Sequence, residues 1–126
     1  MMYALLIYGD DSPWVDLLED ERARLRAEEI PEWNLLFDEL RKSDPDFVGK
    51  ELDGRRTAKV VTVRDGERAV TDGPFAETKE LIGGLFLLDL PDLDEAIRLA
   101  ARIPAARHGS IEIRPVIGEE DEGLSS

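Results

Sequence analysis

Cysteine is absent from this 126-residue chain, and histidine occurs once, at position 108. The chain therefore has no disulfide, no thiolate metal site and no cysteine nucleophile. This composition fits the reducing cytoplasm, where we expect the protein to act. No apolar run is long enough to span a membrane, and the first ten residues lack the basic segment of a signal peptide. We therefore expect no membrane partner.

Basic residues are scarce relative to acidic ones. The chain has 16 Lys and Arg against 29 Asp and Glu, a formal net charge of −13. Such a charge repels the phosphate backbone of nucleic acids, and no basic stripe interrupts it, so we expect no nucleic-acid partner. Phosphate-binding loops, nucleophile elbows and metal-ligand spacings are also missing from the sequence. We predict no cofactor and no metal site.

Hydrophobic residues make up 42% of the chain, enough to build one core. We predict a single domain over residues 1–117. The remainder, residues 118–126, is an acidic segment that we interpret as a flexible tail.

The first part of the chain predicts a strand and a long helix. Met2 to Tyr8 is an apolar run that ends at a Gly-Asp-Asp turn signal, which favours a buried strand. Apolar residues then recur at helical spacing, and we predict a helix over Asp16–Arg41. Because Pro31 lacks an N–H and clashes with the preceding turn, we expect the helix to kink or restart there. The stripe that predicts its buried face is Trp14, Leu17, Leu18, Leu25, Trp33, Leu36, Phe37 and Leu40.

The second part predicts mainly strands. A hairpin is indicated by Asp65-Gly66, a favoured two-residue turn. A second helix is predicted over Asp92–Ile103, with Asp92 as its N-cap and Glu95 completing a capping box. The predicted strands are Phe47–Leu52, Ala58–Arg64, Arg68–Thr71, Gly84–Leu90 and Ser110–Val116.

This order of elements predicts the α+β class with a ferredoxin-like βαββαβ pattern. We expect an antiparallel sheet of five strands, with four as the alternative, and both helices on one face. The opposite face would carry apolar side chains, which are rarely left in water. We therefore predict a homodimer in which two sheets pack face to face as a dimeric α+β barrel.

One nine-residue stretch gathers the polar chemistry of the chain: Asp72-Gly73-Pro74-Phe75-Ala76-Glu77-Thr78-Lys79-Glu80. A Gly-Pro turn would hold Asp72 in a defined direction at a strand end. Asp72 is our candidate general base and Lys79 its electrostatic partner. Gly73, Pro74, Phe75 and Thr78 are candidate ligand contacts. The alternative is purely structural, with the Asp72 side chain capping the turn and Phe75 filling the core.

Two aromatic residues outside this stretch are candidates for a pocket between the sheet and the first helix. They are Tyr8 and Trp33. Aromatic residues at helical spacing also serve as core, so both interpretations stay open. His108, the only histidine, stands before the last predicted strand, where a surface position is the usual one.

The nine-residue stretch resembles the signature of the DGPF group of YCII-related proteins. Similar segments are Tyr3–Asp10, Gly83-Gly84, Pro91–Ala96, Ala100–Ala106 and Gly109–Pro115. The resemblance spans the chain except for Asp44–Arg56 and the acidic tail. It implies a ferredoxin-like fold, commonly in a dimeric barrel, and a biochemical role that is largely unassigned in the group. It also implies frequent gene proximity to extracytoplasmic-function sigma factors.

One departure from the superfamily limits the chemistry that the resemblance implies. Some YCII-related enzymes resemble lyases or dehalogenases that use a His on the first helix and an Asp just after the second. Here the predicted first helix has no His, and Arg102-Ile103-Pro104 offers no Asp. Two functions therefore stay open. The first is a small-molecule binding protein with its cleft near Asp72, including a proton-transfer or lyase-type enzyme. The second is a noncatalytic regulatory or interaction module.

Overall fold

The computed structural model describes residues 1–10, 17–74 and 80–118. Within these residues, two α-helices and six β-strands follow one another, with short 3-10 turns at Arg55–Thr57 and Pro104–Arg107. The elements are β1 (Met2–Gly9), α1 (Glu19–Ser43), β2 (Val48–Glu51), β3 (Lys59–Arg64), β4 (Glu67–Asp72), β5 (Leu81–Asp89), α2 (Leu93–Ala100) and β6 (Ser110–Pro115).

The main sheet has four strands in the order β2-β5-β1-β6, and every pair is antiparallel. This order, with one helix after β1 and another after β5, confirms the predicted α+β class and the ferredoxin-like pattern. The prediction of five strands in one sheet was wrong, and the alternative of four strands is confirmed. The strands β3 and β4 pair with each other and with none of the described strands of the main sheet. They form a hairpin that lies between β2 and β5 along the chain, whereas β2 and β5 themselves are neighbours in the main sheet.

Alternate residues of β1 and β5 build the core against the helices. Leu5 lies opposite Phe86, and Tyr3 lies opposite Leu88. All four side chains are buried. In β6, Ile111 and Ile113 lie on the same face and are half-buried against this core. The side chains between them lie on the other face of the sheet, against which neither of the two described helices packs.

The helix α1 contributes to the core only through its second half. Leu36 and Leu40 are buried, as their spacing predicts. In the first half, by contrast, Leu18 is the N-cap and 66% exposed, and Leu25 is also exposed, so the prediction that these two residues are buried was wrong. Trp14 of the same predicted face lies outside the described residues. The helix runs through Pro31 without a restart. One lost backbone hydrogen bond is tolerated there because tertiary packing holds the second half in place.

The helix α2 begins where its cap predicts. The Asp92 carboxylate accepts a hydrogen bond from the Glu95 backbone N–H at 2.9 Å, which confirms Asp92 as the N-cap. The Glu95 carboxylate, which was predicted to complete a capping box, instead accepts a hydrogen bond from the Arg98 guanidinium. The helix ends at Ala100, earlier than the predicted Ile103, because the chain tightens into a turn with Ile103 N–H bonded to the Ala100 carbonyl.

Ion pairs join the two helices. The Glu39 carboxylate of α1 forms ion pairs with the guanidinium of Arg98 in α2, at 3.5 Å, and with that of Arg102 just after α2, at 2.6 Å. Neither helix in the described part of the chain is long and apolar enough to cross a membrane. The predicted acidic tail lies outside the described residues except for Gly118.

Candidate functional site

An open groove of about 1760 Å³ lies between α1, one end of the sheet and the β3–β4 hairpin. Its helical wall includes Ile30, Trp33 and Phe37. Pockets that enclose a drug-sized ligand typically measure about 300–1,000 Å³. The larger volume here belongs to a channel that stays open on one side, and we call it the groove.

The groove exists because both the helix and the sheet leave space between them. In the sheet, Gly84 lies opposite Ile7 on the helix-facing side and contributes no side chain. Gly83 precedes it and also lines the groove. Above them, the first half of α1 has no buried side chain that could fill the gap. The Gly83-Gly84 pair and the exposed half-helix therefore border the space from opposite sides.

Aromatic rings form one end of the groove. The Trp33 ring lies 6.0 Å from Phe37 and 6.4 Å from Phe86, measured between centroids. Phe47 lies 6.0 Å from Phe86. Gly49 is required beneath them because a Cβ there would come within 2.6 Å of the Phe86 ring. This places the predicted pocket residue Trp33 on the wall of the groove, where an apolar ligand can reach it.

The Asp72-Gly73-Pro74 turn stands at the rim of the groove. Gly73 has φ +93°, a conformation that L side chains rarely adopt, and its N–H donates to the Ala58 carbonyl at 2.8 Å. Pro74 lines the groove. Phe75, Thr78 and Lys79, three of the predicted site residues, lie outside the described residues, so their roles stay predictions.

Asp72 is the last residue of β4, and its side chain is 85% exposed. Its carboxylate accepts a hydrogen bond from the Lys59 Nζ at 2.5 Å. This hydrogen bond and the charge of Lys59 lower the pKa of Asp72 below its ordinary 3.8. A carboxylate with a lowered pKa is a weak proton acceptor. Asp72 is not among the described residues that line the groove, and its catalytic role stays a prediction.

Lys59 is the residue near the motif that sequence reasoning missed. The hairpin turn consists of Asp65 and Gly66, both with positive φ, at 52° and 78°. Such a two-residue turn places residues at equal distances from it opposite each other, and Lys59 and Asp72 are one of these pairs. The turn signal was recognised in the sequence, so counting outward from it would have identified the partner.

The other predicted pocket residue, Tyr8, reaches the groove at its edge. Its hydroxyl donates to Glu112 at 3.1 Å. Glu112 alternates with Ile111 and Ile113, so it lies on the sheet face away from the helices. The hydrogen bond to Glu112 raises the pKa of the Tyr8 phenol. The hydroxyl is therefore neutral near pH 7, and its proton is already donated to Glu112 in a hydrogen bond.

Ion pairs frame the groove at the end away from the aromatic rings. Arg55 contacts Asp10 at 3.2 Å, with the two side chains 25% and 35% exposed. Arg26 of α1 contacts Glu51 of β2 at 2.9 Å.

His108 is exposed after the second 3-10 turn. Among the described residues, no three His, Asp or Glu side chains come together as a metal site would require.

Comparison with known proteins places the chain in a family. The model of the YCII-related domain matches residues 1–120. An uncharacterized protein of Rhizobium meliloti (strain 1021) is 35% identical over 120 residues, which cover 92% of each chain. With the ferredoxin-like strand order described above, these matches identify the chain as a member of the YCII-related domain family.

Proposed function

We propose that this YCII-related protein binds a small organic molecule in the groove, with the DGPF-type turn at its rim. The observation that carries the proposal is the aromatic wall. Trp33 and Phe37 line a space that the fold leaves open, whereas ordinary core packing would fill it. Pockets with apolar and aromatic walls and a few polar groups are the usual binding sites for small molecules.

The DGPF-type turn would supply ordered contacts. Pro74 restricts its own backbone and that of Gly73 before it, where the hairpin ends, and a stiff segment loses less entropy when it meets a ligand. Pro74 supports this proposal because it lines the groove. Phe75, Thr78 and Lys79 follow directly in the sequence, and we propose them as further ligand contacts.

Fluorescence of Trp33 tests the proposal directly. The chain has two tryptophans, so a Trp14→Phe variant reports Trp33 alone. We expect members of a screen of small acidic and phenolic compounds to change this emission in a saturable way. The same compounds should lose calorimetrically measured affinity for a Trp33→Leu variant. A screen without any binder would contradict the proposal and favour the noncatalytic interaction module.

Catalysis is a separate proposal within the same function. Asp72 would act as the base of a proton transfer or lyase-type step, with Lys79 stabilising the negative charge that develops. Lys59 keeps the Asp72 carboxylate charged, which is the form that a base needs. For any ligand that is turned over, Asp72→Asn should abolish turnover and retain binding. Undiminished turnover in Asp72→Asn would exclude Asp72 as the base.

A further inference from the structure

The charge of the groove differs from the charge of the molecule. Of the described residues that line it, six are Lys or Arg and four are Asp or Glu. The whole chain has the reverse balance, with 16 basic and 29 acidic residues. A concave surface with low-dielectric walls concentrates the field of its charges. The groove therefore favours negatively charged ligands that the rest of the surface repels.

One face of α1 orders these features along the groove. Arg22, Arg26, Ile30, Trp33 and Phe37 all line it, at spacings of three or four residues that place them on the same side of the helix. The two arginines come first and the apolar residues follow. From Arg26 to Trp33 the helix rises roughly 10 Å, at about 1.5 Å per residue. Charge and apolar surface are thus separated along one axis.

Within the part of the chain that the structure describes, Arg22 has no ion-pair partner, whereas Arg26 pairs with Glu51 at 2.9 Å. Both guanidinium groups can donate paired hydrogen bonds to a carboxylate or a phosphate. At the other end, Trp33 and Phe37 belong to the aromatic cluster and can bury an alkyl or aryl body.

We infer that the ligand is an elongated organic anion, with its carboxylate or phosphate head at Arg22 and Arg26 and its apolar body along Ile30, Trp33 and Phe37. This inference rests on the proposed function, because it names the class of molecule that the groove binds. A ligand with only the anionic head would contact mostly exposed arginines, and a ligand with only the apolar body would form no ion pair with Arg22 and Arg26. The two parts together match the order of side chains on α1.

Three probes with the same alkyl chain test the inference: decanoate, decyl phosphate and the uncharged decanol. Each is titrated into the Trp14→Phe chain while Trp33 fluorescence is followed. We expect both anions to bind at least fivefold more tightly than decanol at low ionic strength, and salt to narrow the difference. The tighter of the two anions identifies the head group.

Helix variants separate local contact from overall charge. Arg22→Gln and Arg26→Gln should each weaken binding of the anions about two- to fivefold and leave decanol unchanged. Arg24→Gln is the matched control, because it makes the same change in net charge on the opposite side of α1, outside the groove. Arg24→Gln should change neither the affinity for the anions nor the affinity for decanol.

Two results would overturn the inference while the proposed function stands. In the first, decanol binds as tightly as both anions. In the second, Arg24→Gln weakens the anions as much as Arg22→Gln does, which would assign the effect to net charge. If none of the three probes changes Trp33 fluorescence and the wider screen also returns no ligand, both the inference and the proposed function fail.

Discussion

The carboxylate of Asp72 is controlled by a residue thirteen positions earlier in the chain, Lys59. The motif itself contains a candidate cation, Lys79, and local reasoning pointed to that one. Cross-strand neighbours in an antiparallel hairpin lie closer together than most residues several positions apart along the chain. The chemistry of this side chain is therefore set by strand register as well as by its neighbours in sequence.

Removing Lys59 should change how Asp72 titrates. In Lys59→Met, we expect the pKa of Asp72, followed by NMR of its carboxyl carbon, to rise toward the ordinary 3.8. Because folding lowers the pKa of Asp72, the stability that the pair contributes depends on pH. The pair stabilises the fold at pH values above 3.8, and this contribution is lost as the pH falls through the lower pKa of the folded protein. An unchanged Asp72 pKa would show that Lys59 does not hold the carboxylate in solution.

At the scale of elements, the β3–β4 hairpin depends on the conformation of the turn that follows it. Gly73 closes the ladder through its N–H bond to Ala58, and it does so at φ +93°. A side chain at this position meets no atom within 4 Å, so the requirement for glycine is one of backbone angle and not of space.

Gly73→Ala should therefore loosen the hairpin. Left-handed backbone conformations cost an L residue about 1–2 kcal/mol, which corresponds to roughly five- to thirtyfold faster amide hydrogen exchange in β3 and β4. Gly83→Ala is the matched control, because Gly83 also has open space around it but an ordinary φ. Equal exchange rates in the two variants would mean that the hairpin does not need the special angle.

The helix α1 shows how an element can be recognised while its packing is misjudged. Its apolar residues recur with a helical period on both sides of Pro31. Only the second half buries side chains in the core, through Leu36 and Leu40, whereas the first half lies over the groove. Periodicity predicts a helix with an apolar side. It does not say whether a neighbour covers that side.

At the scale of the whole molecule, the sheet presents apolar side chains on the face opposite the helices. That face, which we call the outer face, includes Ala4, Leu6, Leu85 and Leu87, with Val48 42% exposed beside them.

We expect two copies to pair through the outer face. Light scattering at micromolar concentration should give twice the chain mass of 14.1 kDa. Leu87→Glu should reduce it to the monomer mass without unfolding the protein, because a charge at the centre of an apolar interface is costly to bury. Val63→Glu, at a 59% exposed site on the hairpin, is the control and should keep the dimer. A wild-type mass near 14.1 kDa would exclude the dimer.

The sequence by itself determined the class of fold, the start of α2 and the hairpin turn. These depend on interactions within a few residues: the Asp92 cap, the positive φ of Asp65 and Gly66, and the alternation along β1. It also identified Trp33 and Pro74 as candidate ligand contacts, and both line the groove.

Only the tertiary structure decided which strands share a sheet and where α1 is covered. It also decided that Tyr8 donates a hydrogen bond to Glu112, far from it in sequence, through the pairing of β1 with β6. The physical reason is common to all three. Each depends on two segments that lie far apart along the chain and compete for the same hydrogen-bonding edge or apolar surface, and that competition is settled only when the whole chain packs.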